Sequence, residues 1–439
     1  MKIFKIKALS ALLFLVFAST IIFVSNNVTV KAATVLQVPS TTYPTIQSAL
    51  NAANGSDTIN VASGTYNEKI NYNGYSNNIL SGRYQVKTGI TLQGAKGTII
   101  NGDVTILYLT ELKIDSLIIT GSLTLGDSSV YGFISHSSIS NLQVSSTTTI
   151  GGSFNILTNN VLHGLILKGG NGKMEDPAWN TLIENNQILN GITIKSGSYA
   201  NTIKGNIISN AEVGILEEPS KTYYPTGQNQ IYNNTITNNN VGISLYCSTG
   251  DTGAPSHTAD QIIQNIIKNN TLGIEFLASN HYVYGNIIYH NDFIDNKAQA
   301  FAHNPVTNIW DNGPSTPQTG NYWSDYKGKD ANNDGVGDTP YIINTENQDN
   351  YPLMHPWSTP NPTPTTSPTP VPPTPTPSPF TSTPAPSNPA ASSPTASPAD
   401  PSNSQASIVP ELTPLAIILG LVAVSAATIL LKRKQSIPA

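Results

Sequence analysis

The sequence predicts an all-β chain wound as a parallel β-solenoid of about ten coils, with a short capping helix before it and an irregular tail after it. Three observations predict this. A phrase of asparagine, apolar residue and asparagine recurs at roughly 20–30-residue intervals, the period of repeat architectures. The apolar runs inside it are too short for helices and alternate in the manner of strands. The residues between the runs are Asn and Gly, which tolerate left-handed backbone.

The elements follow in chain order. Lys2, Lys5 and Lys7 precede the apolar run at 8–24, and VKAA (30–33) offers small residues for cleavage after Ala32. Residues 1–32 therefore read as a signal peptide, with an uncleaved anchor as the alternative. Segment 33–57 is the N-terminal cap. In TIQSALNAA (45–53), Ile46, Ala49, Leu50 and Ala53 share one helical face, and Gly55 follows as a stop. Such a helix covers the open end of a core that would otherwise invite association.

The coils occupy 58–310. Short runs at 90–92, 104–106, 117–119 and 123–125 set the rhythm before the clear copies begin. The phrase then starts at Asn155, Asn180, Asn201, Asn229, Asp260 and His281, with a second Asn five residues on. The apolar positions between are Leu157, Leu182, Ile203, Ile231, Ile262 and Val283. A Gly-apolar pair closes most copies, at Gly164, Gly191, Gly214, Gly242 and Gly273. The apolar residues should stack into one core, and corner asparagines can bond to one another along the axis as amide ladders do. Asn233 and Asn269 lie in N-x-T sequons but belong to this grammar.

Segment 311–357 reads as an aromatic, Asx-rich C-terminal cap. A stalk follows at 358–408, where 16 of the chain's 31 prolines lie between Pro360 and Pro401 among Ser and Thr. That composition buries no core and extends. Residues 409–431 read as a transmembrane anchor, since 412–431 is 20 residues without a charge. Lys432, Arg433 and Lys434 then mark 432–439 as a cytoplasmic tail. The expected location is the cell membrane, single-pass, with the body outside.

Charged residues are 11% of the chain and the net charge is −5, which leaves no footprint for nucleic acid. Cys247 is the only cysteine, so no intrachain disulfide forms.

DANNDGVGD (330–338) offers Asp330, Asn332 and Asp334 at alternate positions, Gly335 for a sharp turn, the Val336 carbonyl and Asp338. This follows the first nine positions of a calcium-binding EF-hand loop. Tyr341 stands where the bidentate Glu would be, leaving Glu346 or Asp349 to complete the set, and a metal-free Asx turn is the alternative. Copper sites favour His, Met and Cys. His281 and His290, or Met354 and His355, have no ligand spacing, so copper is not expected on this chain alone.

Catalytic residues are not identified. Arg83 is the only arginine before the C-terminal flank, and Asp292 and Asp295 should face opposite sides of a strand. Three coils carry insertions, at 169–179, 218–228 and 247–260, on one side of the repeat. Insertions at one repeat position often mark the binding face. Trp179, Tyr223, Tyr224 and Tyr246 lie in or beside them. Alternation turns Ile166, Thr193, Leu216, Ser244 and Glu275 outward, then Lys168, Lys195, Glu218 and Tyr246. These residues form the expected ligand-binding face.

VPSTTYPTIQSALNAANGSDTINVASGTYNEKI (38–70), NIWDNG (308–313) and GNYWSDYKGKDANNDGVGDTPY (320–341), with the coil phrasing, resemble the NosD-like β-helix family. The resemblance covers roughly 35–357 and implies a right-handed parallel β-helix. VPELTPLAIILG (409–420) resembles an archaeal surface-protein anchor. The family includes periplasmic accessory proteins of a copper reductase and many archaeal surface proteins. Three functions are therefore expected in turn: a tethered rod binding carbohydrate or another cell-envelope polymer, an accessory factor for an exported copper enzyme, and a polysaccharide lyase or hydrolase.

Overall fold

A computed structural model describes residues 32–358, apart from 77–84, 127–133, 170–176, 196, 219–225, 248–256, 279–282, 304–306 and 314. The chain divides into two compact units, Met1–Thr365 and Thr366–Ala439, and every described residue lies in the first. The expected signal peptide, stalk and span all but lie outside the described residues: Ala32 and Ser358 alone are within them. No helix among the described residues is long and apolar enough to cross a membrane.

Short alternating runs cannot bury an apolar face singly, so they stack. Eleven strands follow one another in parallel in the first sheet, from Val35–Val38 and Thr58–Val61 through Gln230–Tyr232 to Val283–Tyr289. Their register aligns Leu36, Ile59, Leu92, Ile114, Ile139, Leu157, Ile183, Ile203, Ile231, Ile262 and Ile288 in one column. All of these side chains are buried. The chain is a right-handed parallel β-helix, with coils about 4.8 Å apart.

The second, 19-stranded sheet takes two runs from most coils. Its first column runs through Ile188, Ile208, Ile236, Ile267, Phe293 and Trp323. Its second runs through Leu165, Ile192, Ile215, Ile243 and Ile274. The glycine of each Gly-apolar pair sits between them, and at Gly191, Gly214, Gly242 and Gly273 the next coil lies close. A Cβ on Gly242 would lie 2.3 Å from the Gly273 carbonyl oxygen, and one on Gly214 would lie 2.5 Å from that of Gly242. No side chain fits there.

At the corner between the sheets, buried asparagines bond coil to coil. The backbone N–H and Nδ2 of Asn160 donate to Asn186 Oδ1, and the same pair of bonds links Asn206 to Asn234 and Asn265 to Asn291. The ladder continues through Asn321 and ends on the Asp349 carboxylate. The residue before each ladder asparagine from Asn160 to Asn291 has positive φ, as at Asn159, Asn185, Gly205 and Asn233. Asn and Gly accept that conformation at low steric cost.

The register corrects two of the expected phrases. Thr181 and Asn186 hold the positions expected of Asn180 and Asn185, and Ile183 rather than Leu182 points inward. In the last coil the positions belong to Asn286, Ile288 and Asn291, five residues beyond the expected ones. Asparagine serves both at the left-handed corner and in the ladder beside it, so composition alone permits a slip, and a one-residue slip exchanges the two faces.

Both ends of the core are closed. Helix α1 (Ile46–Ala52) buries Ile46, Ala49 and Leu50, and Thr45 and Ser48 form its capping box. The Glu68 carboxylate accepts the backbone N–H groups of Ile46 and Gln47. At the other end Trp323 stacks on Phe293 at 4.3 Å and Tyr341 on Trp323 at 4.2 Å. The tail is largely irregular, with a two-residue antiparallel pairing of Tyr341–Ile342 and Gln348–Asp349.

Candidate functional site

The insertions leave the β-helix after the second run of the second sheet and return ahead of the first sheet. Tyr223 and Tyr224 lie outside the described residues. Trp179 is described, and it stands in a row. Ser153, Trp179, Tyr199 and Gly227 pair in parallel from coil to coil, so side chains at these positions stack at the coil pitch. Trp179 stacks on Tyr199 with ring centroids 5.8 Å apart and meets Phe154 edge-on at 4.8 Å. His136 stacks on Phe154 at 4.9 Å. Phe154 is 40% exposed, and Trp179 and Tyr199 are half-buried. His136, Phe154 and Tyr199 were not foreseen, because variable insertions separate them along the chain and only the register aligns them.

Beside this row lie the strand ends. Lys195 and Glu218 form an ion pair between adjacent coils, and Lys168 holds the same place one coil earlier. Ser198 N–H donates to the Lys195 carbonyl, so a tight turn joins Lys195 to Tyr199. The row expected to face outward is placed less uniformly. Ser244 is only 2% exposed, because its hydroxyl donates to Glu275 Oε1 at 2.7 Å across the coils. Tyr246 lies in the strand Val241–Cys247 opposite Leu277, and its side chain is outside the described residues.

Alternation that turns Glu218 outward turns Glu217 inward. It replaces an aliphatic residue in the column Leu167, Ile194, Glu217, Leu245 and Phe276, and it is fully buried. Asn229 Nδ2 donates to Glu217 Oε1, and Asn229 N–H donates to Asp260 Oδ1 at 2.7 Å. Asp260 stands where neighbouring coils have asparagine, and no N–H reaches its Oδ2. Burial, and then the adjacent Glu217 carboxyl, hold Asp260 well above the usual carboxylate range. The alternation already placed Glu217 in the core, and this was the signal for the pair.

The calcium-like loop curls around its own amides. Asp330 accepts from Asp334 and Gly335 N–H, Asp334 from Val336 N–H, and Asp338 from Ala331 N–H. Asn332 Oδ1 accepts from Asp334 N–H. Gly335 takes the sharp turn at φ +88°. Asp349 is not on this loop. It closes the asparagine ladder and accepts Trp323 Nε1–H at 2.9 Å, which corrects its expected place as a completing ligand.

Among the described residues no three His, Cys, Asp or Glu side chains are grouped to hold a metal ion. His290 stacks on Trp357 at 3.5 Å with Nε2 against Thr319 Oγ1, and burial pushes it down to about 4. Asp292 is buried and accepts the N–H groups of Trp357 and Ser358, while Asp295 is exposed, so the two do not face each other.

Residues 115–328 match the family described as "Periplasmic copper-binding protein (NosD)". A probable ABC transporter binding protein NosD from Stutzerimonas stutzeri is 34% identical over 142 residues, covering 29% of this chain and 30% of that protein. The chain thus matches less than a third of that relative's length. Similar solved structures include the A-module of Azotobacter vinelandii mannuronan C-5 epimerase AlgE6, with TM-score 0.34, 14% identity and coverage of 60% of this chain and 91% of that one. An exopolygalacturonase from Thermotoga maritima gives TM-score 0.37 and 11% identity, covering 60% and 86%. A tailspike protein mutant of E. coli bacteriophage HK620 in complex with a pentasaccharide gives 0.43 and 9%, covering 62% and 54%. At these scores and identities none lends a residue or a substrate to this chain. Sequence similarity and coil register meet over one segment: residues 115–328 form a parallel β-helix whose sequence is similar to the NosD family.

Proposed function

We propose that this protein is an exported, membrane-tethered β-helix that binds an extended carbohydrate or another surface polymer along the corner bearing its insertions. The row His136, Phe154, Trp179 and Tyr199, flanked by Lys168, Lys195 and Glu218, carries this reading. Partly exposed rings offer flat apolar surface, and the adjoining charged groups offer hydrogen bonds to hydroxyls, the mixture that ligand sites use. Coils about 4.8 Å apart repeat at close to the length of a sugar unit, so an extended glycan can follow the axis. Export and tethering rest on the signal-like residues 1–32 and the apolar stretch 409–431, and the periplasmic description of the matching family supports export.

Affinity electrophoresis of the full chain through gels containing cell-envelope polysaccharide tests the reading. Retardation is expected, and Trp179→Ala combined with Tyr199→Ala should weaken it about tenfold or more, the effect of one to two ring contacts. Equal mobility of both proteins would reduce the β-helix to a spacer.

The family match favours a second reading, an accessory factor for an exported copper enzyme. Stoichiometric copper retained by the purified protein after dialysis would support it. The lyase or hydrolase reading gains nothing from Glu217 and Asp260. Hydrolysis needs two carboxyl groups about 5–10 Å apart across a sugar, and this pair is in contact and closed to solvent.

A further inference from the structure

Three N-x-S/T sequons lie among the described residues: Asn54-Gly55-Ser56, Asn233-Asn234-Thr235 and Asn269-Asn270-Thr271. Such a triplet is the acceptor of N-linked sugar in exported proteins. In a β-helix rich in asparagine the first residue of the triplet says little, because the corners themselves call for it. The third residue discriminates, wherever the fold has no use for its hydroxyl.

Two of the triplets are explained by the fold. Asp57 accepts the N–H of Asn54, and a Cβ on Gly55 would lie 2.9 Å from the Thr88 carbonyl oxygen. Ser56 completes this turn at φ +68°, and Asn, Gly and Ser are the residues of turns. Thr235 begins the strand Thr235–Thr237, in register with Ile207 and Ile266, and is half-buried. A β-branched residue suits that place.

At Asn269 the explanation stops one residue short. Asn210, Asn238, Asn269 and Asp295 follow paired strand ends and turn the same corner, at φ between +51° and +60°. Asn270 is buried and bonded to Asn239 on one side and Asn296 on the other. The next position holds Glu212, Asn240, Thr271 and Lys297 in successive coils, all exposed. An acid, an amide, a hydroxyl and a base all serve there, so the corner sets 269 and 270 but not 271. Asn269 is itself exposed, and so are Asn238 and Asp295 on either side of it.

We propose that Asn269 carries an N-linked glycan. This rests on the export part of the reading above and adds a modification to it. In the transfer, Nδ2 of Asn269 bonds to C1 of a sugar on a lipid-linked diphosphate donor. The bond from C1 to the diphosphate oxygen breaks, and one amide proton passes to the diphosphate. The backbone at φ +56° and the ladder through Asn270 stay as they are. The strand Leu272–Ala278, about 23 Å long, separates the attachment point from the insertion corner.

Peptide mapping by mass spectrometry of the full chain, purified from the cells that make it, tests the assignment. Peptides containing Asn269 should carry added sugar mass, with fragmentation placing it on that residue. Thr271→Val should abolish it and Thr271→Ser should keep it. Both variants leave Asn269 and Asn270 in place, and matching melting temperatures would show that both fold. Protease added to intact cells reads export separately. If the protease digests the β-helix while Asn269 is bare, export stands and the assignment is overturned. Sugar on Asn54 or Asn233 but not on Asn269 would overturn it too, as would sugar retained in Thr271→Val. A β-helix protected inside intact cells, with Asn269 bare, would overturn both readings.

Discussion

Asn233 and Asn234 are neighbours with different work, and the difference can be measured. Asn234 is buried and exchanges bonds with Asn206, Ile203 and Asn265, whereas Asn233 is exposed at φ +56°. Asn234→Ala strands several buried donors and acceptors and should cost about 3 kcal/mol or more. Asn233→Ala sacrifices only the ease of the left-handed conformation, about 1 kcal/mol. Chemical denaturation of the two variants checks the ranking. At this scale the sequence was legible where asparagine and isoleucine stood in unambiguous alternation, as at Asn229, Ile231 and Asn234. It was ambiguous at 180–186, where two further asparagines allow either register. Glu217 was readable by parity, yet its partner Asp260 lies 43 residues further on and comes near only through coil stacking.

The C-terminal cap is an element in which two expectations can be tested separately. If DANNDGVGD holds calcium, a hundredfold excess of the ion over its Kd adds about 2.7 kcal/mol to the folded state. The melting temperature should then rise with calcium, fall with chelator, and lose this difference in Asp334→Ala. Identical curves with ion and chelator would leave a plain turn. The aromatic stack of this cap was legible only as family phrasing, since nothing in YW or DTPY fixes which rings meet. The aromatic row at the insertions was less legible still. Trp179 stood out as an isolated tryptophan, but Tyr199 joins it through a bridge and Phe154 lies beside the bridge partner Ser153, and no local spacing announces either.

Across the whole β-helix, Asp349 should favour the folded state in mild acid over neutral pH. Burial pushes Asp349 up to about 6, against the N–H groups of Asn321, Trp323 and Tyr351 that favour its carboxylate. An acid whose pKa is raised on folding binds its proton more tightly in the folded state. Its stabilisation is therefore complete below the ordinary value of 3.8 and is lost as pH rises through about 6. The difference is about 3 kcal/mol. Asp260 shifts in the same direction and reinforces the trend. His290, pushed down to about 4 by burial, acts in the opposite direction, so the check is a difference: the unfolding free energy of the unsubstituted protein minus that of Asp349→Asn should fall between pH 4 and 7, and a rise in this difference would refute this account. The fold class was readable at this scale because each coil presents its neighbours with the same columns. The amide ladder adds a consequence. Every asparagine in it gives through its amide nitrogens and receives through its oxygen, so any interior coil ends above as it begins below. Asp349 receives only. A duplicated coil could be spliced into the interior without a mismatch, but none could be appended past the carboxylate. Length in such a lineage is free to drift from within, while the terminus stays where that one acid closes the series.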